Sequence, residues 1–534
     1  MAVLISNVPV LASDAPDFEV LRDRLGLGHD HVLGWRLVKK SLDARQKVPV
    51  WRGVYRLEVH DEDALLARHR GVRRWTERDD ARYGEATAID PVPRRWEAGH
   101  HVVVVGAGPA GLFAALFLAE SSARVTLLDR GGPVRDRVKA VNGFWRRKVG
   151  LDSENNLLFG EGGAGTFSDG KIYTRRRDGD IGYVLRRFVD FGAKRDILKE
   201  GWAHLGTDQV RAMLPRFRSR LAELGVDVRY HCGVTDLVVE AGEVRGVVTS
   251  DGTIFGDEVI FAPGHSARDS VRMLVERGAA AVSRPVAIGA RIEHPQTVID
   301  EARYGRARET LPPASYRLAH DDGAGLKVRT FCMCPGGIVV HASNQDGRVV
   351  VNGMSFAAQR AFWANSAVVV EVEPEAFGHD GPLAGYAWQD EIECRAFELA
   401  GSSHAAPAQR VVDFLAGRRS EDLPKTSYPL GITSVDLHDV LPEAVCNGLK
   451  RGLQEFERKV PGFAGDQAVL IAPETRTTSP IRFLRDDGGQ STTIRGLYPT
   501  GEGAGFGGGI VSCALDGIRA ARDIVQRYAV ERDS

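Results

Sequence analysis

A chain of 534 residues is longer than one compact core usually holds, so two or three domains are expected. Apolar residues at 43% and charged residues at 26% are ordinary for a globular protein and suffice to bury a large cofactor. Lys plus Arg (70) balances Asp plus Glu (71), and the net charge of −1 gives no electrostatic drive toward nucleic acid or an anionic membrane.

Met1–Val10 has no basic leader, and Ser6, Asn7 and Pro9 interrupt its apolar run, so it does not read as a signal peptide. No run of about 18 apolar residues occurs, which argues against a transmembrane helix and makes the cytoplasm the expected location. Ala2–Val10 reads as a strand and Pro16–Leu25 as a helix ending at Gly26. His31–Lys39 and Val50–Val59 read as strands, Asp61–His69 as a short helix with an acidic start, and Val72–Thr76 as a last strand. The order β-α-β-β-α-β is that of a small α+β ferredoxin-like unit, with a docking or stabilising role as its plainest use. Arg78–Gly99, charged and carrying Pro91 and Pro93, reads as a linker, and the N-terminal domain with linker takes residues 1–95.

A second start follows at His101. Val102–Val105 is an unbroken apolar strand, as a buried parallel strand should be. Gly106-Ala107-Gly108-Pro109-Ala110-Gly111 is a G-x-G-x-x-G turn that opens directly into a helix. Val125–Leu128 is the next strand and ends at Asp129, followed by Arg130. Gly106 permits the turn, Gly108 lets a diphosphate approach the backbone, and Gly111 lets helix and strand pack closely. The helix N-terminus offers free N–H groups to phosphate, and Asp129 can accept bonds from a ribose. The fold class that follows is α/β, with a Rossmann-type dinucleotide domain.

Three further segments favour FAD over NAD. Gly160–Lys171, with Gly162, Gly163, Ala164, Gly165, Thr166 and Lys171, is too glycine-rich for an ordinary loop and suits backbone that must approach a ring or a diphosphate. Val226–Gly264 reads as strand, hairpin (Leu237–Val248, with Val234 just before it) and strand, ending in Ala262-Pro263-Gly264. That ending resembles the Ala-Thr-Gly stretch of two-dinucleotide flavoproteins. Gly496–Ala521 resembles the C-terminal flavin motif of the same superfamily. By that resemblance Gly501 and Glu502 lie by the ribityl chain, and Gly507, Gly508, Gly509 and Ile510 pass under the pyrimidine end of the ring. The helix Val511–Arg527 then aims its N-terminus at the flavin.

Taken together, the chain resembles the FAD-dependent dehydrogenases of uncertain substrate, flavoproteins of the glutathione-reductase type that carry a ferredoxin-like N-terminal domain. The stretches that carry the likeness are Ser41–Arg45, Phe159–Lys171, Ala287–Gln296, Thr330–Gly337, Val351–Ser355, Glu474–Pro480 and Tyr498–Gly509. Departures are Thr478 in place of Ser and Phe506-Gly507 in place of Tyr-Ala. The resemblance implies FAD and an oxidoreductase and names no substrate.

Residues 285–470 carry no second G-x-G-x-x-G and are expected to form a mixed-sheet substrate domain set between two parts of the FAD domain, 96–284 and 471–534. Hydride would pass between the flavin and a small organic substrate, with NAD(P)H as a possible transient donor. A flavin monooxygenase shares these features, and an RNA-modifying or RNA-binding flavoprotein is a third reading. Four residues are candidates for the chemistry. Cys334, near Cys332, could face the flavin or serve as an acid, or the pair could be small residues on one face of a strand with Met333 opposite. Lys171 could hold a phosphate, reach the flavin N1 or N5, or be solvated. Glu474 and Arg476 could pair with each other or clamp a substrate carboxylate. His265 and His294 read as capping or packing residues as readily as bases. The six cysteines are too sparse and irregular for a disulfide framework, and a lone C-x-C lacks the second pair of ligands a zinc site needs, so no metal is expected.

Overall fold

The computed structural model describes residues 2–10, 18–27, 31–43, 49–83, 90–174, 176, 178–323 and 325–530. Pro16 and Asp17 of the first expected helix, Ala44 and Arg45 of Ser41–Arg45, and residues 84–89 of the expected linker lie outside that set.

The N-terminal unit is a four-stranded antiparallel sheet in the order Val32–Asp43, Val50–Val59, Ala2–Pro9, Val72–Arg74. Two helices, Phe18–Leu25 and Glu62–Arg68, connect the strands. Alternation decides which faces are buried: Val3 and Ile5 on one strand and Tyr55, Leu57 and Val59 on another meet Leu21 and Leu65 of the helices. The Asp61 carboxylate accepts from the Ala64 N–H at 2.9 Å and caps the second helix. Backbone bonds from the Lys40 N–H to the Lys199 carbonyl (2.8 Å) and from the Gly201 N–H to the Lys40 carbonyl (3.0 Å) tie this unit to the following one.

The expected linker is partly structured. Glu77–Tyr83 is a helix because Thr76 and Asp79 satisfy each other at its start: the Asp79 carboxylate accepts from the Thr76 N–H at 3.0 Å and hydroxyl at 2.8 Å. Arg95–Trp96 pairs antiparallel with Ala529–Val530 near the far end of the chain.

The next unit is a five-stranded parallel sheet. Its order is Leu497–Pro499, Glu258–Phe261, His101–Val105, Arg124–Leu128, Asp227–Arg229. The nucleotide helix Pro109–Glu120 and the C-terminal helix Ile510–Tyr528 pack against it, and ten of the twelve residues of the first are buried, as suits a helix between other layers. The expected hairpin is a three-stranded antiparallel sheet, Val234–Glu240, Glu243–Thr249 and Gly252–Phe255. On the central sheet Glu258 is 3% exposed, with Oε2 unpartnered among the described residues, and burial pushes its carboxyl up to about 7. The native chain therefore holds this proton more tightly than the unfolded chain, so its contribution is present below about pH 4.5 and is lost as pH rises toward about 7. Glu258→Gln is expected to flatten the decline of the urea midpoint across that window; a pH profile parallel to the wild type would refute this.

The chain leaves the parallel sheet after Phe261 and returns at Leu497. Between them lies a mixed sheet whose central strand, Val286–Pro295, is buried along its whole length. Trp363–Val372 and Val469–Glu474 flank it antiparallel, and Lys327–His341 lies outside the first of these. The strand Val469–Glu474 runs across position 470, so the boundary expected there falls inside a strand that belongs to the middle sheet, where its backbone bonds are made.

Candidate functional site

Four segments that are distant in sequence meet at the carboxyl ends of the parallel strands. Gly106 has φ +99°, and a Cβ there would strike the Ala262 carbonyl; a Cβ on Gly111 would strike the Gly106 carbonyl, so both glycines are required by close packing. A Cβ on Gly108 would instead meet nothing nearer than the Gly163 Cα at 3.8 Å. The Gly162 N–H donates to the Ala107 carbonyl at 2.8 Å, which lays the loop of Gly160–Lys171 over the first turn. A Cβ on Gly165 would lie 3.4 Å from Ile510, and one on Gly501 would lie 3.0 Å from the Ala110 Cβ, so the C-terminal motif closes the same cleft. Ala262-Pro263-Gly264 forms its floor: the Ala262 N–H donates to the Val105 carbonyl at 2.8 Å, and a Cβ on Gly503 would meet the Gly264 carbonyl oxygen at 2.6 Å.

Three buried side chains hold these loops. Asp129 accepts from the N–H groups of Ala107 (2.6 Å), Gly131 (2.8 Å) and Gly160 (2.8 Å), so the expected ribose acceptor spends most of its capacity on the two loops. Arg137, fully buried, donates to the carbonyls of Asn156 (3.1 Å), Leu157 (2.8 Å), Glu161 (2.5 Å) and Gly163 (3.0 Å) and to the Thr166 hydroxyl (2.9 Å). Asp516 accepts from the Gly501 N–H at 2.7 Å and pairs with Arg485 at 2.5 Å. The expected contact Arg130 bonds Glu154 (2.5 Å) and Asp269 (2.9 Å), and Val234 opens a strand two residues past Cys232, whose N–H donates to the Asp129 carbonyl at 2.9 Å.

The residues present fit FAD. Two helix N-termini open on the cleft, at Pro109 and Ile510, and neither N-cap, Gly108 or Gly509, supplies a side-chain cap. Their first-turn N–H groups suit a diphosphate and an electron-rich ring edge. Gly508 and Gly509 are exposed, and a Cβ on either would meet no atom within 4 Å.

Residues 101–143 match the family model described as FAD binding domain, and residues 285–477 match the one described as FAD-dependent protein, C-terminal domain-like. An uncharacterized protein of Clostridium beijerinckii is 37% identical over 540 residues, covering 99% of both chains. The chain belongs to the same family as that protein, a family of FAD-dependent proteins. A glycine oxidase of Pseudomonas putida is 29% identical over 209 residues, 32% of this chain and 57% of that one. The crystal structure of glycine oxidase from Bacillus cereus matches 81% of this chain and 98% of its own at 13% identity, with a TM-score of 0.30. No helix among the described residues is long and apolar enough to cross a membrane.

In this flavoprotein the middle sheet brings three of the four expected catalytic residues into one cluster. Lys171 donates to the Met333 carbonyl and lies 2.9 Å from Asp169 Oδ2. Asp169 in turn meets His204 Nε2 at 3.2 Å and accepts from the Ser355 hydroxyl. Arg291, fully buried, donates from Nη1 to both oxygens of Glu474 (2.8 and 3.0 Å), from Nε to Asn365 Oδ1 (2.8 Å) and from Nη2 to the Cys332 carbonyl (2.6 Å). Arg476 is not in this cluster and does not pair with Glu474. It bonds Glu393 (2.7 Å) and Asn344 (2.9 Å) and is 5% exposed, so it has no free fork for a substrate carboxylate.

Of the two cysteines, Cys332 is the partly exposed residue and Cys334 is not. Cys334 is fully buried, its thiol donates to the Cys332 carbonyl at 3.3 Å, and burial pushes its pKa up. Cys332 is half-buried with φ +46°, and its pKa is pulled down by hydrogen bonding from Cys334, then by the charges of Lys171 and Arg291. His265 Nε2 bonds the Arg476 carbonyl at 3.0 Å, so that nitrogen carries the proton and Nδ1, 3.9 Å from Glu502, is an acceptor. Burial pushes His265 down to about 4 and Glu502 up to about 7. His294 Nε2 bonds the Phe463 carbonyl at 2.7 Å within the middle core, which is a packing role.

Sequence reasoning missed Arg137, Arg291, Asp516, Asp169 and His204 as site residues. Arg291 did have a signal: it is a lone cation inside the apolar run Val286–Ile292, and a buried charge needs a partner.

Proposed function

We propose that this flavoprotein binds FAD with the diphosphate at the turn of Gly106–Gly111 and the isoalloxazine end at Gly507–Ile510, and that it transfers hydride between the flavin and a small organic substrate. The observation that carries this reading is the convergence of the four glycine-bearing segments on one cleft with two uncapped helix N-termini. FAD supplies the two-electron chemistry when bound; the chain positions, orients and excludes water. The substrate lies between the flavin-side residues Lys171 and Glu502 and the middle-sheet residue Cys332. His265, with its acceptor nitrogen beside Glu502, is placed to hold a substrate proton donor. The scaffold reading that goes with this is a flavoprotein of the glutathione-reductase type with an inserted substrate domain and a ferredoxin-like N-terminal domain, whose strand order supports that topology.

Purified protein is expected to be yellow, and its absorbance is expected to bleach under anaerobic conditions with a compound from a panel of NADH, NADPH, glycine and other small amines, hydroxy acids and enoates. Colourless protein that takes up no added FAD, or flavin that dithionite reduces while every other donor fails, would overturn the reading.

A further inference from the structure

Two arginines outside the Lys171–Arg291 cluster carry charge that no carboxylate answers. Ala281–Ser283 and Ile481–Phe483 form a short antiparallel ladder with Val282 opposite Arg482. The Arg284 N–H extends it by donating to the Pro480 carbonyl at 2.9 Å. Arg284 is therefore a diagonal neighbour of Arg482 on one face of the ladder, a spacing that long side chains bridge. Both guanidinium groups turn to the same acceptor: Arg284 Nη1 donates to the Gly505 carbonyl at 2.7 Å and Arg482 Nη2 at 3.4 Å. Gly505 closes the turn Glu502–Ala504 and stands just before the loop Gly507–Gly509 at the N-terminus of Ile510–Tyr528.

A third guanidinium shows what the two lack. Arg485 lies 3.4 Å from the centre of the Phe506 ring, and Arg482 faces the same ring at 5.0 Å. Arg485 is neutralised by Asp516, 2.5 Å away. Among the described residues Arg284 and Arg482 form no ion pair, and Glu502, the acid whose charge acts on Arg284, makes its ion contact with His265 at 3.9 Å. Burial, then the Arg482 charge, pulls the Arg284 guanidinium down from its ordinary range. The remaining donors of both forks are unbonded, and none of them is a buried orphan, so they stay open to solvent. Holding the Gly505 carbonyl needs one donor; it leaves the second arginine and the open nitrogens unexplained. Two like charges on one carbonyl are costly unless an anion joins them.

We propose that Arg284 and Arg482 form the acid-binding subsite of the cleft, and that the substrate is a carboxylic acid held there by its carboxylate. This inference rests on the reading of the cleft as the flavin and substrate site. A carboxylate offers two coplanar oxygens, and guanidinium donors meet them in charge-assisted bonds. Gly508 and Gly509, exposed and without side chains, leave room beside the pair.

Yellow holoprotein titrated at constant ionic strength with acetate, benzoate and succinate, each against its neutral amide, tests this through the visible flavin band. At least one acid is expected to perturb the band saturably, while its amide binds at least about tenfold more weakly. Arg482→Met, at an exposed position, and Arg284→Met are each expected to raise the Kd of that acid at least about tenfold with flavin content unchanged. An amide that binds as tightly as its acid, yellow protein that responds to none of the three acids, or either variant binding the acid as the wild type does, would overturn the proposal. So would loss of flavin from folded Arg482→Met, because the arginines would then hold the cofactor. If Arg284→Met does not fold, Arg482→Met decides alone. Colourless wild-type protein that takes up no FAD removes the flavin reading and this inference with it, whereas yellow protein indifferent to carboxylates removes this inference only.

Discussion

Gly108→Trp is expected to give a folded, colourless protein. The position is open toward Gly163, with no atom nearer than 3.8 Å to an added Cβ, so the indole enters the space of the cleft without displacing backbone. On the function proposed above, that space is where the N–H groups of the helix Pro109–Glu120 face the diphosphate, and a bulky ring there removes the approach on which the site depends. FAD affinity is expected to fall by at least about a hundredfold, about 2.8 kcal/mol. Gly71→Trp, placed where no atom lies within 4 Å in an exposed turn of the N-terminal unit, should stay yellow. Circular dichroism checks the fold, and the ratio of flavin to protein absorbance reads the outcome. A variant that keeps stoichiometric flavin places the diphosphate elsewhere.

The second large effect concerns stability. Arg291→Met leaves the Glu474 carboxylate 1% exposed with no cation, and it strips donors from Asn365 and the Cys332 carbonyl. Breaking a buried pair from one side costs about 3–5 kcal/mol, because the remaining charge stays desolvated. The double variant Arg291→Met, Glu474→Leu removes that charge and should recover much of the loss, leaving the cost of the unsatisfied acceptors. Urea unfolding of the two single variants and the double variant measures the coupling. A loss below about 1 kcal/mol in Arg291→Met would mean that the pair is solvated in solution and not buried.

The parts of the molecule legible in the sequence were those governed by short-range rules. The apolar run Val102–Val105 with its glycine turn announced the parallel strand and nucleotide helix, because strand, turn and helix are contiguous and each glycine has a local steric duty. The four N-terminal strands were legible for the same reason, through alternation along each strand. The helix Glu77–Tyr83 was misread as linker although Thr76 and Asp79 stand at capping spacing, since charge and the neighbouring prolines outweighed the signal.

The amino-acid order by itself determined which glycine-bearing segments line the cleft and that FAD is the cofactor, since each segment carries its signal within a short stretch of chain. Only the tertiary structure decided which of the two cysteines is partly exposed, that Glu474 answers to Arg291 while Arg476 answers to Glu393, and that Asp129 clamps two loops. The two ion pairs join residues 183 and 83 positions apart, Asp129 reaches Ala107 and Gly160 across 22 and 31 positions, and a buried charge takes whichever counter-charge packing delivers to it.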